Sequence, residues 1–214
     1  MAEAESVTTF VMENRLPWPE DKLSSGLGGP LDIALIYDDG RPQECSIRTI
    51  SALGATLCGD VTKTKAPGAE LALELATGQR PAGTIEWVRG GEAGIRFKQP
   101  IDMLALINRK LVSQPSERRA MPRIELRCGV YVKWCGNLEP ATLRNISARG
   151  MQIEGSMLAP PGTFISLFIE GLNVPPGEVV WRKENLAGIE LFEELSWTSI
   201  IPWIRELGRK QAGR

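Results

Sequence analysis

The residues with the clearest chemical potential lie in two short stretches of the second half of the chain. The first reads Glu117-Arg118-Arg119-Ala120-Met121-Pro122-Arg123, an R-x-x-x-R arm formed by Arg119 and Arg123, with Arg118 just before it. The second is Asn145-Ile146-Ser147-Ala148-Arg149-Gly150, an N-x-S-x-x-G turn. Guanidinium forks bond bidentately to the N7/O6 edge of guanine and to phosphate oxygens. Asn and Ser carry short polar side chains suited to a turn, and Gly lets a ligand come close to the backbone. Either stretch alone is ordinary: basic runs are usually solvated, and polar turns are common. Their order and spacing, one strand pair apart, give them meaning together.

In that arrangement the two stretches resemble the signature of the PilZ domain, a bacterial receptor for the second messenger cyclic di-GMP. The resemblance implies a six-stranded barrel with the ligand at the mouth. It implies that Arg119 and Arg123 clasp guanine edges and phosphates, that Asn145 and Ser147 bond to a guanine, and that Gly150 permits close approach. Arg118 stands where the family often carries Arg when it binds an intercalated ligand dimer. Trp181, ending the Gly177-Glu178-Val179-Val180 strand, is either a ring against a ligand base or a core residue. The function implied is that of a non-enzymatic receptor in which ligand orders the arginine arm and resets domain or partner contacts. The alternative is a ligand-independent adaptor that uses its barrels as protein-interaction modules.

The composition narrows the other classes. The 214 residues suit one large or two small domains, and the net charge of −1 argues against a general polyanion binder, so no nucleic-acid partner is expected. Histidine is absent, which removes the commonest general base and metal ligand. No carboxylate pair, activated nucleophile or phosphate-cradling loop stands in its place. No enzyme activity, metal or cofactor is therefore expected, only cyclic di-GMP as ligand. The acidic start Met1-Ala2-Glu3-Ala4-Glu5 lacks the basic and apolar regions of a signal peptide, and no apolar run is long enough to span a membrane. The four cysteines form no C-x-x-C, and Cys128 and Cys135 would face opposite sides of one continuous strand. Free thiols in a reducing cytoplasm are expected.

The elements that must position these residues come as a repeat. A shift of 96 lays Cys45-Ser46-Ile47-Arg48-Thr49-Ile50-Ser51-Ala52-Leu53-Gly54 on Ala141-Thr142-Leu143-Arg144-Asn145-Ile146-Ser147-Ala148-Arg149-Gly150. After a two-residue gap, Gly83-Thr84-Ile85-Glu86-Trp87 meets Gly177-Glu178-Val179-Val180-Trp181. A period this long means tandem domains. Each copy holds short β-prone runs, Asp32–Tyr37 and Gly129–Trp134 among them, with turns expected at Asp38-Asp39-Gly40 and Gly136-Asn137. The fold class expected is mainly β: two tandem six-stranded antiparallel PilZ-type barrels, each followed by a C-terminal helix. The first helix is read over Pro100–Leu111, with apolar positions at 103, 104, 107 and 111. The second begins near Ser196 and is expected to stop at Gly208, with a boundary or kink near Ser199 or Ile201 because of Pro202.

The domains expected are a lead-in at 1–30, a degenerate barrel with its helix at 31–112, and a complete motif-bearing domain at 113–214. Val7 to Met12 is read as an added strand. In the first copy Arg119 and Arg123 map to Leu23 and Leu27, and Asn145 maps to Thr49, so its ligand chemistry is read as lost. Ser51 and Gly54 persist, which points to a need of the barrel turn itself. Homodimerisation, contact with a downstream protein and packing on the second domain are the roles open to this copy.

Overall fold

The computed structural model describes residues 8–18, 32–38, 41–113 and 123–212. The chain divides into two compact units, Met1–Arg123 and Ile124–Arg214. The first contains β1 (Thr9–Val11), β2 (Asp32–Asp38), β3 (Arg41–Ser51), β4 (Gly54–Cys58), α1 (Val61–Thr64), β5 (Glu70–Glu74), β6 (Ala82–Arg89), β7 (Glu92–Phe97) and α2 (Met103–Ser113). Six of its strands close a ring in the order β2-β3-β4-β7-β6-β5 and back to β2, every pairing antiparallel. The second unit contains β8 (Arg123–Trp134), β9 (Asn137–Ile146), β10 (Gly150–Glu154), β11 (Phe164–Phe168), β12 (Gly177–Lys183), β13 (Leu186–Leu191) and α3 (Trp197–Ala212). Its ring runs β8-β9-β10-β13-β12-β11 and back to β8, again antiparallel throughout. The expected six-stranded barrels are present, and closure leaves neither sheet an open edge.

The two rings correspond strand for strand. β4 begins at Gly54 and β10 at Gly150, 96 residues later, whereas β5 begins at Glu70 and β11 at Phe164, 94 later. The two-residue gap thus falls in the loop between them. Alternating apolar residues fill each barrel: Ile36, Ile47, Leu57, Leu73, Ile85 and Ile95 in one, and Ile124, Leu143, Ile146, Ile153, Val179 and Ile189 in the other. Burying such side chains contributes about 1.5–3 kcal/mol each before chain entropy is set against it.

The strand at Thr9–Val11 falls within the expected Val7–Met12, but it pairs in parallel with Thr49–Ser51 of β3. Thr8 ties it down, its Oγ1 donating to the Ile47 carbonyl and accepting from the Asp32 N–H, each at 2.7 Å. β8 starts six residues before the expected Gly129, because Ile124 and Leu126 extend its buried alternation. The turn expected at Gly136-Asn137 lies one residue earlier: Trp134 pairs with Asn137, and Cys135 (φ 46°) and Gly136 (φ 82°) make the reversal. Two successive left-handed residues match the twist of a two-residue hairpin.

Helix α2 begins after Asp102, whose Oδ1 accepts the Ala105 N–H at 3.0 Å as an N-cap. Its buried stripe includes Leu106 beside Met103 and Ile107, whereas Leu104 is only half-buried. Helix α3 is capped by Ser196, whose Oγ accepts from the Thr198 N–H at 3.2 Å. It runs through both Pro202 and Gly208 to Ala212, so neither the boundary at Ser199 or Ile201 nor the stop at Gly208 occurs. Pro202 lies in the second turn and removes only the bond to the Thr198 carbonyl; both residues are exposed, so water can serve that carbonyl. The Trp203 indole donates to the Glu170 carbonyl at 2.9 Å and fastens α3 to its barrel.

Candidate ligand site

The N-x-S-x-x-G turn joins β9 to β10. The Ser147 N–H donates to the Gly150 carbonyl at 2.9 Å, and Ser147 Oγ donates to the same oxygen at 3.1 Å. The turn is pinned from outside by Leu191 N–H on the Arg149 carbonyl (2.9 Å) and Leu195 N–H on the Ala148 carbonyl (2.7 Å). The first barrel repeats both pins, Phe97 on Leu53 at 2.8 Å and Ile101 on Ala52 at 3.0 Å. Gly150 has no room for a side chain, since a Cβ would stand 2.6 Å from the Ile189 carbonyl oxygen. Gly54 meets the Ile95 carbonyl in the same way. The shared Gly thus answers a demand of the barrel present in both copies, whereas the serines differ: Ser51 Oγ accepts from the Leu53 N–H at 3.2 Å.

Asn145 reaches the outside of the barrel through an irregularity in β9. Ile153 pairs with Leu143 while Gln152 pairs with Asn145, so Arg144 is an extra residue and the alternation changes phase across it. Leu143 and Ile146 both face the core, and Asn145 faces out beside Gln152. The Asn145 Nδ2 donates to Gln152 Oε1 at 2.5 Å, which holds the amide in one orientation although only 8% of the residue is exposed. Arg144 is engaged elsewhere, bonding Glu154 at 2.5 Å and holding that carboxyl below its ordinary pKa.

A second bulge does the same for Trp181. Val179 pairs with Ile189 and Trp181 with Gly188, leaving Val180 as the extra residue. The indole then covers Gly188, where any Cβ would run into the ring. Direct pairings link Glu125 on β8, Asn145 on β9, Gln152 on β10, Gly188 on β13 and Trp181 on β12. Directly opposed residues share a face, so these five form one row across the outer wall. Arg123, exposed at the start of β8, lies two residues from Glu125 and shares its face. The fold therefore gathers Arg123, Asn145 and Ser147 at one end of a row whose other end is Trp181, 42% exposed. Arg118 and Arg119 lie outside the described residues.

Gln152 belongs to this row and was missed by sequence reasoning. The signal available was its place two residues after Gly150, where strand alternation returns to the outer face.

Residues 117–201 match the family model described as PilZ domain. Residues 117–201 are a PilZ domain. No curated protein matches the chain. Among solved structures, the chain is similar to PlzA of Borreliella burgdorferi in complex with c-di-GMP, at 12% identity over 81% of this chain and 86% of that one, TM-score 0.34. It is similar to the Bacillus subtilis inhibitor of motility MotI/DgrA at 14% identity over 86% and 97%, TM-score 0.31. It is also similar to YcgR of Escherichia coli in complex with c-di-GMP at 13% identity over 86% and 88%, TM-score 0.30. At these scores the three structures carry no weight beyond the family match.

A groove in the PilZ domain lies away from the row. It measures about 1000 Å³ and runs between β8, β11 and α3, with Val130, Leu167, Leu172, Trp203 and Lys210 in its walls. None of the described motif residues lines it. Among the described residues no group of three or more His, Cys, Asp or Glu could hold a metal, and no helix is long and apolar enough to cross a membrane.

Proposed function

We propose that this chain is a non-enzymatic, cytoplasmic receptor for cyclic di-GMP, and that its PilZ domain binds the nucleotide across the outer row from Arg123 to Trp181. The observation that supports this most is the row itself. It offers an oriented amide pair, Asn145 and Gln152, to a guanine edge, and an indole face at Trp181 to a base. Three strand spacings of ~4.8 Å separate β9 from β12, a span on the order of 14 Å that suits a dinucleotide lying flat. Arg119 and Arg118 precede Arg123 in the chain and supply the positive charge that two phosphates require, Arg118 toward a second, stacked ligand. Neutralising this arm orders it across the barrel mouth and changes the contacts available to a protein partner. The first barrel is a degenerate copy, with Thr49 in place of Asn145 and no arginine arm.

Calorimetry on Arg119→Ala and Arg123→Ala tests the reading. Each substitution weakens binding by roughly tenfold or more, because a charge-assisted hydrogen bond contributes about 1.5–3 kcal/mol. Native affinity in both variants would place the site elsewhere.

A second reading, a ligand-independent adaptor, draws on the exposed Phe164, which packs edge-to-face with the exposed Phe192 at 5.4 Å. Partner capture insensitive both to the nucleotide and to Arg119→Ala favours that reading.

A further inference from the structure

The first barrel carries the same outer row with different residues. Thr49 on β3 pairs with Thr56 on β4, Thr56 with Gly94 on β7, and Gly94 with Trp87 on β6. These are the positions of Asn145, Gln152, Gly188 and Trp181 in the PilZ domain. β3 bulges at Arg48 and β6 at Glu86, so the Thr49 and Trp87 side chains are re-aimed as their counterparts are.

In this barrel the row is occupied by the chain's own lead-in. The Pro17 carbonyl accepts from Thr49 Oγ1 at 2.8 Å and from Thr56 Oγ1 at 3.0 Å. Trp18 packs edge-to-face on Trp87, with ring centroids 5.8 Å apart and an interplanar angle of 82°. Leu16 fills the space over Gly54, its Cδ2 lying 3.2 Å from where a Cβ would stand. Pro17 is buried, Thr56 is 1% exposed and Thr49 is half-buried, so the carbonyl is served by one hydroxyl wholly shielded from water and one partly shielded. A carbonyl oxygen has two lone pairs, and two convergent hydroxyl donors satisfy both. Proline suits the position because its fixed φ presents that carbonyl with little conformational freedom to lose. Upstream, the parallel pairing of β1 with β3 delivers the segment to this place.

We propose that the outer row of the first barrel is a peptide-binding site, specific for an apolar–Pro–Trp segment and filled in cis by Leu16-Pro17-Trp18. The hydroxyl pair reads the proline carbonyl, Trp87 reads the following indole, and Gly54 leaves room for the preceding leucine. Its equivalence to the nucleotide row rests on the function proposed above. On that footing, the first barrel is closed to nucleotide by an occupant as well as by the loss of its arginines.

The test uses the full-length chain without nucleotide, so its outcome is independent of whether the PilZ domain binds cyclic di-GMP. Trypsin can cut after Arg15, immediately before the held segment, and the rate of that cut is followed by mass spectrometry. The double variant Thr49→Val/Thr56→Val removes both donors at nearly constant volume. It is expected to be cut at Arg15 faster by roughly tenfold or more, since cleavage tracks the opened population and one buried and one part-buried hydrogen bond are lost. Thr49→Ser/Thr56→Ser keeps the hydroxyls and is expected to stay near the native rate. Trp18→Ala, at a residue outside the strands of the first barrel, provides a faster-cut variant that does not depend on tolerance of a buried valine. Native cleavage rates in both the valine pair and Trp18→Ala overturn the proposal, as does a serine pair cut as fast as the valine pair.

Discussion

Replacing Gly150 by alanine would place a Cβ 2.6 Å from the Ile189 carbonyl oxygen, well inside van der Waals contact. That oxygen belongs to a strand paired on both sides, β10 with β13 and β12 with β13, so it cannot withdraw cheaply. Gly150 is not in the left-handed region, so alanine meets no conformational bar, and the loss of chain entropy in the unfolded state gives back a few tenths to 1 kcal/mol. Overpacking costs about 1–3 kcal/mol. The net is a loss of roughly 1–2 kcal/mol in the motif-bearing barrel, a fall in Tm of about 4–15 °C for a unit of this size. Thermal unfolding of the full chain, followed by near-UV circular dichroism, measures it. Gly54→Ala makes the same clash with the Ile95 carbonyl and is expected to lower the stability of the other barrel comparably. The reasoning is refuted if Gly150→Ala keeps its Tm within about 1 °C while losing nucleotide affinity. That outcome would mean the glycine serves ligand approach and not the closure of the barrel.

Further outcomes follow from the thiols, a turn and the motif serine. Burial pushes the Cys45 thiol up to about 12 and the Cys128 thiol up to about 11, so both are almost wholly protonated at pH 8 and react last with a thiol reagent. Their labelling should rise steeply only above about pH 10, whereas the exposed Cys135 is modified first; labelling of the buried Cys45 or the half-buried Cys128 ahead of Cys135 on the folded chain would contradict the reasoning. Cys135 sits at φ 46°, where a residue other than Gly or Asn is strained, so Cys135→Asn is expected to stabilise by up to about 1 kcal/mol in urea unfolding. Ser147→Ala, which removes a hydroxyl bond already made to Gly150, should cost about 1 kcal/mol of stability and affect nucleotide affinity less than either arginine variant.

The barrels were legible because the repeat fixed the strands twice over. The shift of 96 aligned Arg48, Ile50, Ser51 and Gly54 with Arg144, Ile146, Ser147 and Gly150, and the strand boundaries follow that register. What escaped were features set by local irregularity. The bulges at Arg144 and Val180 alter strict alternation, so the shared face of Asn145, Gln152 and Trp181 emerges only from the pairing. A parallel partner for β3 has no sequence mark distinguishing it from an antiparallel one, and the grip of Thr49 and Thr56 on Pro17 joins residues 32 and 39 positions apart. Helix α3 outran Gly208 because fastening by Trp203 and Lys210 to Glu170 outweighs the weak helix propensity of one exposed glycine.

Titration of the native full-length chain with cyclic di-GMP in a calorimeter, with GTP and cyclic GMP as controls, tests whether the chain is a receptor for this nucleotide. Saturable binding of cyclic di-GMP, absent for both controls and for the Arg119→Ala/Arg123→Ala double variant, is the result predicted. No heat at tens of micromolar ligand, or equal heats for all three nucleotides, would contradict it.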